Sequence, residues 1–353
     1  MFSMRSFLLG GLLLQAVTLA ASSPSAAVEL VYANGYARGT ISTGIIADEW
    51  IKQIEAATQR RVTIRHVPGG ALLKPENMLE GVRNGVADIG SAVVPFFPGQ
   101  LPISATLAGT VDLVDGNKLT PKDSIAIVQK LLEEHSAFRD EYDRLNLRAA
   151  FWIAAAPYVV ISAKRLENLD DFKGLKIRTF GENMRKIIAA TGAAPISMAF
   201  SEVYTSLQTG VIDAAVTDAP AMVTNRLYEV AKFVMTTGPR NGAQTAIPSI
   251  VFVFNKASWA KIPASDQAII EQVSRKMLPE GAQRISDAQE AAVKQLRERG
   301  VKISHLSEKE TAELAARAGD FYSLAAEEIT KAGFPGNAIL QSYRTLVKQS
   351  PGN

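Results

Sequence analysis

Apolar positions recur along this chain at two spacings, and the change from one to the other marks its elements. Leu30-Val31-Tyr32-Ala33-Asn34-Gly35 is a short apolar run that ends in a glycine loop. Ile45, Ile46, Trp50 and Ile54 then fall on one face of a helix expected over about Ser42 to Thr58. Arg61 to Val67 alternates in polarity, as a strand with one covered face does. After the turn Pro68-Gly69-Gly70, a second helix covers about Pro75 to Asn84, and Val86 to Gly90 is a short buried strand. The order strand-helix-strand-helix-strand predicts parallel strands with crossover helices, hence an α/β fold.

A weak internal echo predicts a second unit of the same kind. Glu80-Gly81-Val82-Arg83-Asn84-Gly85-Val86-Ala87-Asp88 and Thr205-Ser206-Leu207-Gln208-Thr209-Gly210-Val211-Ile212-Asp213 share one design. Each has a helix end, a glycine stop and an apolar pair closed by aspartate, with Val211 to Ala215 expected as the second buried strand. A common helix-to-strand turn would look the same; two similar lobes with a cleft between them is the reading preferred here. Ala149 to Ser162 is apolar but broken by Pro157, too long for one strand, and predicts two that cross between lobes. Ile250 to Asn255 is a buried strand. About Ser265 to Gly300 is helical with an interruption at Pro279-Glu280-Gly281, and Ser307 to about Leu346 is helical and expected to pack on the second lobe.

Composition narrows the function classes. The 353 residues are 47% hydrophobic and 21% charged, enough apolar surface for two cores. The net charge of +3 is thinly spread, and no basic block points to nucleic acid. The absence of cysteine excludes disulfides and thiolate chemistry. His66, His135 and His305 are scattered without metal-ligand spacing, so no metal or cofactor is expected. At the start, Arg5 precedes an apolar core from Phe7 to Leu19, and Ser25-Ala26-Ala27 offers a cleavage site before Val28. Residues 1–27 therefore read as a signal peptide, and the mature protein as soluble and exported.

The most informative motif is FKGLKIRTFGENM, followed by AFSEVYTSLQTGVIDAA. Arg178 sits at the end of a short strand pattern, where α/β folds collect ligands. Its guanidinium is a permanently charged planar fork suited to gripping a carboxylate with two parallel hydrogen bonds. These stretches resemble the solute-binding proteins of tripartite ATP-independent periplasmic (TRAP) transporters, of the dicarboxylate-binding type. The resemblance extends over nearly all of the chain and is most specific from Leu169 to Asp213.

That resemblance implies a two-lobed periplasmic binding protein, each lobe a sheet flanked by helices, with a long helix spanning both. It implies residues 28–155 with 242–281 as one lobe and 156–241 with 282–353 as the other. Hinges are expected within 149–162 and near Gly238 to Ala246. The implied role is capture of a small organic acid in the periplasm and its delivery to the membrane permease subunits.

Carried onto this chain, the family pattern makes Arg178 the carboxylate anchor and Phe200 a ring against the ligand. Glu202 is expected to cap the helix that starts near Ser201, and the pattern leaves Tyr204 unoriented. Thr217 stands where many relatives have asparagine, in a motif of which only Asp213 is kept here. Asp218 has two readings, an acceptor for a ligand hydroxyl or an N-cap. Asn34 and Tyr36 lie in the first loop, a turn that relatives use for ligand contact. The main departure is Ala156-Pro157-Tyr158, where many relatives carry a second arginine. Tyr158, with Trp152 near it, cannot neutralise charge, so one carboxylate with an apolar or aromatic body is expected. A further cation such as Arg38 or Arg240 would reverse this.

Other classes stay open at this point. No Gly-x-Ser-x-Gly elbow, His-Glu-x-x-His pair or phosphate-cradling loop points to an enzyme. A binding protein of an ATP-driven transporter, or a receptor that presents its ligand to a sensor kinase, would use the same kind of trap.

Overall fold

The computed structural model describes residues 27–109, 119–237 and 247–350. The expected signal peptide and the expected hinge at Gly238 to Ala246 lie essentially outside these residues, as does Arg240. Two sheets organise the chain. The first holds β1 (Val28–Ala33), β2 (Val62–Val67), β3 (Ile89–Val93), β4 (Leu147–Ile153) and β10 (Ile250–Asn255) in the order β2-β1-β3-β10-β4. The second holds β5 (Tyr158–Ser162), β6 (Lys176–Thr179), β7 (Ala194–Ser197), β8 (Ala214–Asp218), β9 (Phe233–Thr236) and β11 (Lys302–His305), in the order β11-β9-β5-β8-β6-β7.

The sheets follow one plan. β1 pairs in parallel with β2 and β3, as β6 does with β7 and β8. Neither sheet is wholly parallel, however. β10 runs antiparallel to β3 and β4, and β5 antiparallel to β8 and β9. Both strands enter from the other sheet, which reverses their direction, whereas β1, β2 and β3, the stretch read as parallel from the sequence, are parallel. The chain thus crosses between lobes at residues 154–157 and again between β9 and β10.

Each lobe has its own apolar packing. In the first, Trp50 of the helix Ile46–Ala57 is fully buried among Phe151, Phe252 and Phe254. In the second, Phe172, Ile177 and Ile187 fill one side of the sheet, and Ile161, Val203 and Leu296 the other. Val86 and Val211 are half exposed instead of buried. The strands begin after the aspartates, so these valines sit in the preceding turns.

The helix Ala264–Glu298 runs unbroken through Pro279, against the expected interruption. Proline removes one helical hydrogen bond, and packing along both lobes carries the helix past it. Met277 and Ile285 join the first core, Ala292 and Leu296 the second. Gly281 is a contact glycine: a Cβ there would lie 2.6 Å from Ile153 Cδ1.

The C-terminal region divides differently from the expected lobe boundary. The helix Glu308–Ala318 buries Leu314 in the second lobe. The helices Phe321–Lys331 and Gly336–Gln349 instead bury Ile329, Ile339, Tyr343 and Val347 in the first. Helical spacing shows that a face is covered but not which lobe covers it. Among the described residues no helix is long and apolar enough to cross a membrane.

Candidate functional site

A cavity of about 210 Å³ lies between the lobes at the ends of both sheets. Arg178 stands on its second-lobe wall. Its strand β6 aligns it with Ala215 of β8 on one side and Ile196 of β7 on the other. The side chain is buried, with the residue only 4% exposed. Nε donates to Met198 O at 3.3 Å and one terminal nitrogen to Val216 O at 3.2 Å. Among the described residues no carboxylate pairs with it, so the remaining N–H groups of the fork stay available. Withdrawal from water pulls its pKa below the ordinary value, although arginine stays charged.

Aromatic rings surround this cation. The guanidinium carbon lies 5.6 Å from the Phe180 ring centre and 5.5 Å from that of Phe200. Phe180 meets Tyr158 at 4.9 Å and Phe96 at 6.4 Å between ring centres. The Tyr158 hydroxyl shares a 3.3 Å hydrogen bond with Ser249 Oγ, across from the first lobe, and burial pushes its pKa up to about 12. Tyr36 reaches the same space from the first lobe, and burial raises its hydroxyl pKa as well.

A model of the bacterial extracellular solute-binding protein family 7 (DctP) matches residues 35–328. The chain belongs to this family. It is a TRAP solute-binding protein, a receptor and not an enzyme. A solute-binding protein of Albidiferax ferrireducens is 27% identical over 246 residues, covering 68% of this chain and 69% of that one. A marine-metagenome TRAP solute-binding protein specific for aromatic acids, solved with 3-hydroxybenzoate, superposes with a TM-score of 0.82 at 19% identity. The match covers 93% of this chain and 100% of the other. A Rhodoferax ferrireducens TRAP protein solved with copurified benzoate gives 0.81 at 19% identity, over 91% and 98% of the two chains.

Within this TRAP receptor the residues singled out by sequence separate into two groups. Arg178, Phe200, Thr217, Tyr158, Tyr36 and Asp218 line the cavity together. Asn34 and Trp152 do not. Asn34 is fully buried behind the first loop, where Nδ2 donates to Thr43 O at 2.9 Å and Oδ1 accepts from Tyr36 N at 2.9 Å. It holds Tyr36 in place from behind. Trp152 lies in the core on the face of β4 opposite Phe151 and meets Tyr142 edge-on at 5.9 Å.

Asp218 takes its N-cap reading and stands at the cavity as well. One carboxylate oxygen accepts from Ala221 N at 2.7 Å and caps the helix Ala219–Thr224, while the residue still lines the cavity. Burial pushes its carboxyl up to about 6, against the opposing hydrogen bond from Ala221. Glu202 makes no capping hydrogen bond, and Tyr204 donates to Glu229 Oε2 at 3.0 Å, away from the cavity. Arg38 is half exposed and tied to Asp48 by bonds of 2.8 and 2.9 Å, so it does not face the cavity.

Sequence reasoning passed over Phe180, Phe96, Ser249 and Thr43. Phe180 follows Arg178 by two residues, a spacing that puts side chains on one face of an extended segment. The Thr43 hydroxyl is buried at the cavity wall without a partner. It lies in a wide π-type turn, Ile41–Ile45, a distortion common at functional sites.

Proposed function

We propose that the cavity captures a small monocarboxylate, its carboxylate on Arg178 and its body between the rings of Tyr36, Tyr158, Phe180 and Phe200. One observation carries this reading. Arg178 is buried at the cavity wall and paired with no carboxylate among the described residues, and a buried charge without a paired counter-ion is costly until a ligand supplies one. Among the described lining residues it is the only cation. A second carboxylate on the ligand would be desolvated without a cationic partner.

Aromatic walls favour a flat, apolar ligand body. The benzoate and 3-hydroxybenzoate held by the two solved relatives fit that description and support it. The lobes close over the acid by hinge motion, and the closed receptor presents it to permease subunits from the periplasm. Export there is by way of the signal peptide read in residues 1–27.

Calorimetry with matched acids tests the reading. Benzoate and 2-oxo or 2-hydroxy monocarboxylates are expected to bind more tightly than succinate or malate. Submicromolar binding of a dicarboxylate alone would overturn it.

A further inference from the structure

The cavity holds an anion as well as a cation, and the two are not paired with each other. Asp218 lines the same wall as Arg178, yet no ion pair joins them. One oxygen of Asp218 is committed to Ala221 N. Among the described residues the other has neither a hydrogen-bond donor nor a cation. The helix Ala219–Thr224, capped by that first oxygen, fixes the carboxylate at the cavity wall, so the free oxygen is a standing acceptor there.

We propose that the ligand is a single-ring monocarboxylate carrying a hydrogen-bond donor meta to its carboxylate, and that the free oxygen of Asp218 accepts that donor. This rests on the carboxylate reading of Arg178. Spacing along β8 supports it. The Arg178 guanidinium is marked by its bond to Val216 O, and Asp218 lies two residues further along the same strand. Two residues of extended chain span about 7 Å, roughly the length bridged by one substituted ring with a polar group at each end.

The surroundings favour this acceptor role over others. Phe180, Phe200 and Tyr158 line the cavity beside Asp218, and Arg178, the one cation among the described lining residues, makes no ion pair with it. Tyr158, the register partner of Asp218 on β5, already shares its hydroxyl with Ser249. Burial without a cation raises the Asp218 carboxyl to about 6, the cost of an acceptor kept ready for an incoming donor. A hydroxyl and an ammonium are both donors of the required kind, and the ligand series below tells them apart.

Titration calorimetry on the whole mature receptor compares benzoate, 3-hydroxybenzoate, 3-(aminomethyl)benzoate and 3-methoxybenzoate. A donor that reaches an ionised acceptor is expected to tighten binding roughly ten- to hundred-fold over benzoate. The methoxy acid, equal in reach but without a donor, gains nothing. The tighter of the two donor acids identifies hydroxyl or ammonium as the source.

Asp218→Asn can keep the helix cap through its amide oxygen but turns the free atom into a donor. In that variant the affinity ratio of 3-hydroxybenzoate to benzoate is expected to collapse, with circular dichroism confirming the fold. Asp218→Ala repeats the test without a new donor. Benzoate binding as tightly as both donor acids, or an unchanged ratio in both variants, overturns the Asp218 assignment alone. Failure of all four acids to bind overturns the carboxylate reading with it.

Discussion

Asp88 and Asp213 make the same pair of backbone contacts in the two lobes. Asp88 N donates to Val31 O at 3.1 Å while its carboxylate accepts from Val31 N at 2.8 Å. Asp213 N donates to Lys176 O at 2.8 Å while its carboxylate accepts from Lys176 N at 2.8 Å. Val31 lies on β1 and Lys176 on β6, the corresponding strands of the two sheets. Each aspartate follows a glycine in the left-handed region, Gly85 at φ 75° and Gly210 at φ 73°. The glycine ends a helix, and the aspartate ties the turn that follows it to the neighbouring strand. The repeated design is thus one structural device used twice, and it does not form the ligand site.

Removing either carboxylate should therefore cost stability and spare ligand chemistry. Asp88→Ala leaves Val31 N without its partner, a loss of about 1–3 kcal/mol for an unsatisfied buried donor. Asp213→Ala should cost a similar amount. Its ion pair with Lys164, which is mostly exposed, adds little. Urea midpoints of the two variants check this, and midpoints equal to the parent would refute the shared role.

What the sequence made legible was local. The helix around Trp50, the strands at Leu30 and Ile177, and the glycine-aspartate turns follow from spacings within a dozen residues. What it hid depends on distant partners. β10 meets β3 from more than 150 residues away, and nothing near Ile250 sets its direction. The C-terminal helices show a covered face but not the lobe that covers it. In the site, Arg178 and Phe200 were legible through motif resemblance. Trp152 was not, because both faces of β4 are covered by core at this point, Phe151 against Trp50 and Trp152 against Tyr142, and those partners lie far along the chain. Asn34 was misplaced because it directly follows β1 and its amide turns inward to hold the loop.

Cavity walls drawn from both lobes imply closure on binding. Tyr36 and Ser249 come from the first lobe, Arg178 and Phe200 from the second, and the lobes are joined at residues 154–157 and along the helix Ala264–Glu298. Contacts from both sides are completed together only when the cleft shuts. Small-angle scattering is expected to show a smaller radius of gyration with saturating ligand. An unchanged profile would count against the hinge.

Acid should stabilise the first lobe through Glu141. This side chain is buried, and its carboxylate accepts from Ile103 N at 3.0 Å, Ser104 N at 3.1 Å and the Ser104 hydroxyl. Burial raises its pKa from 4.5 to about 7, with those hydrogen bonds opposing the rise. The folded state therefore holds this proton more tightly than the unfolded chain. The resulting stability is fully present below pH 4.5 and is lost as pH rises through about 7. The difference amounts to about 3 kcal/mol for this one group. Glu141→Gln is expected to flatten the fall in melting temperature between pH 5 and pH 8. A parent protein whose melting temperature rises over that interval, with an unchanged slope in the variant, would contradict the assignment.

Arg178 sets the largest single effect. Its bonds to Met198 O and Val216 O hold the fork in place without neutralising it, and no carboxylate among the described residues pairs with it, so bound ligand supplies one. Arg178→Ala removes the cationic half of a desolvated pair, a loss of about 3–5 kcal/mol. The dissociation constant of benzoate should rise by roughly two to four powers of ten. Arg178→Lys keeps the charge but loses the planar fork and the contacts that orient it, so it too should bind poorly. The two variants separate charge from geometry. A lysine variant as weak as alanine assigns the binding to the fork, and one near the parent assigns it to charge alone. Near-parental affinity in the alanine variant, with its circular dichroism intact, would remove Arg178 from the site.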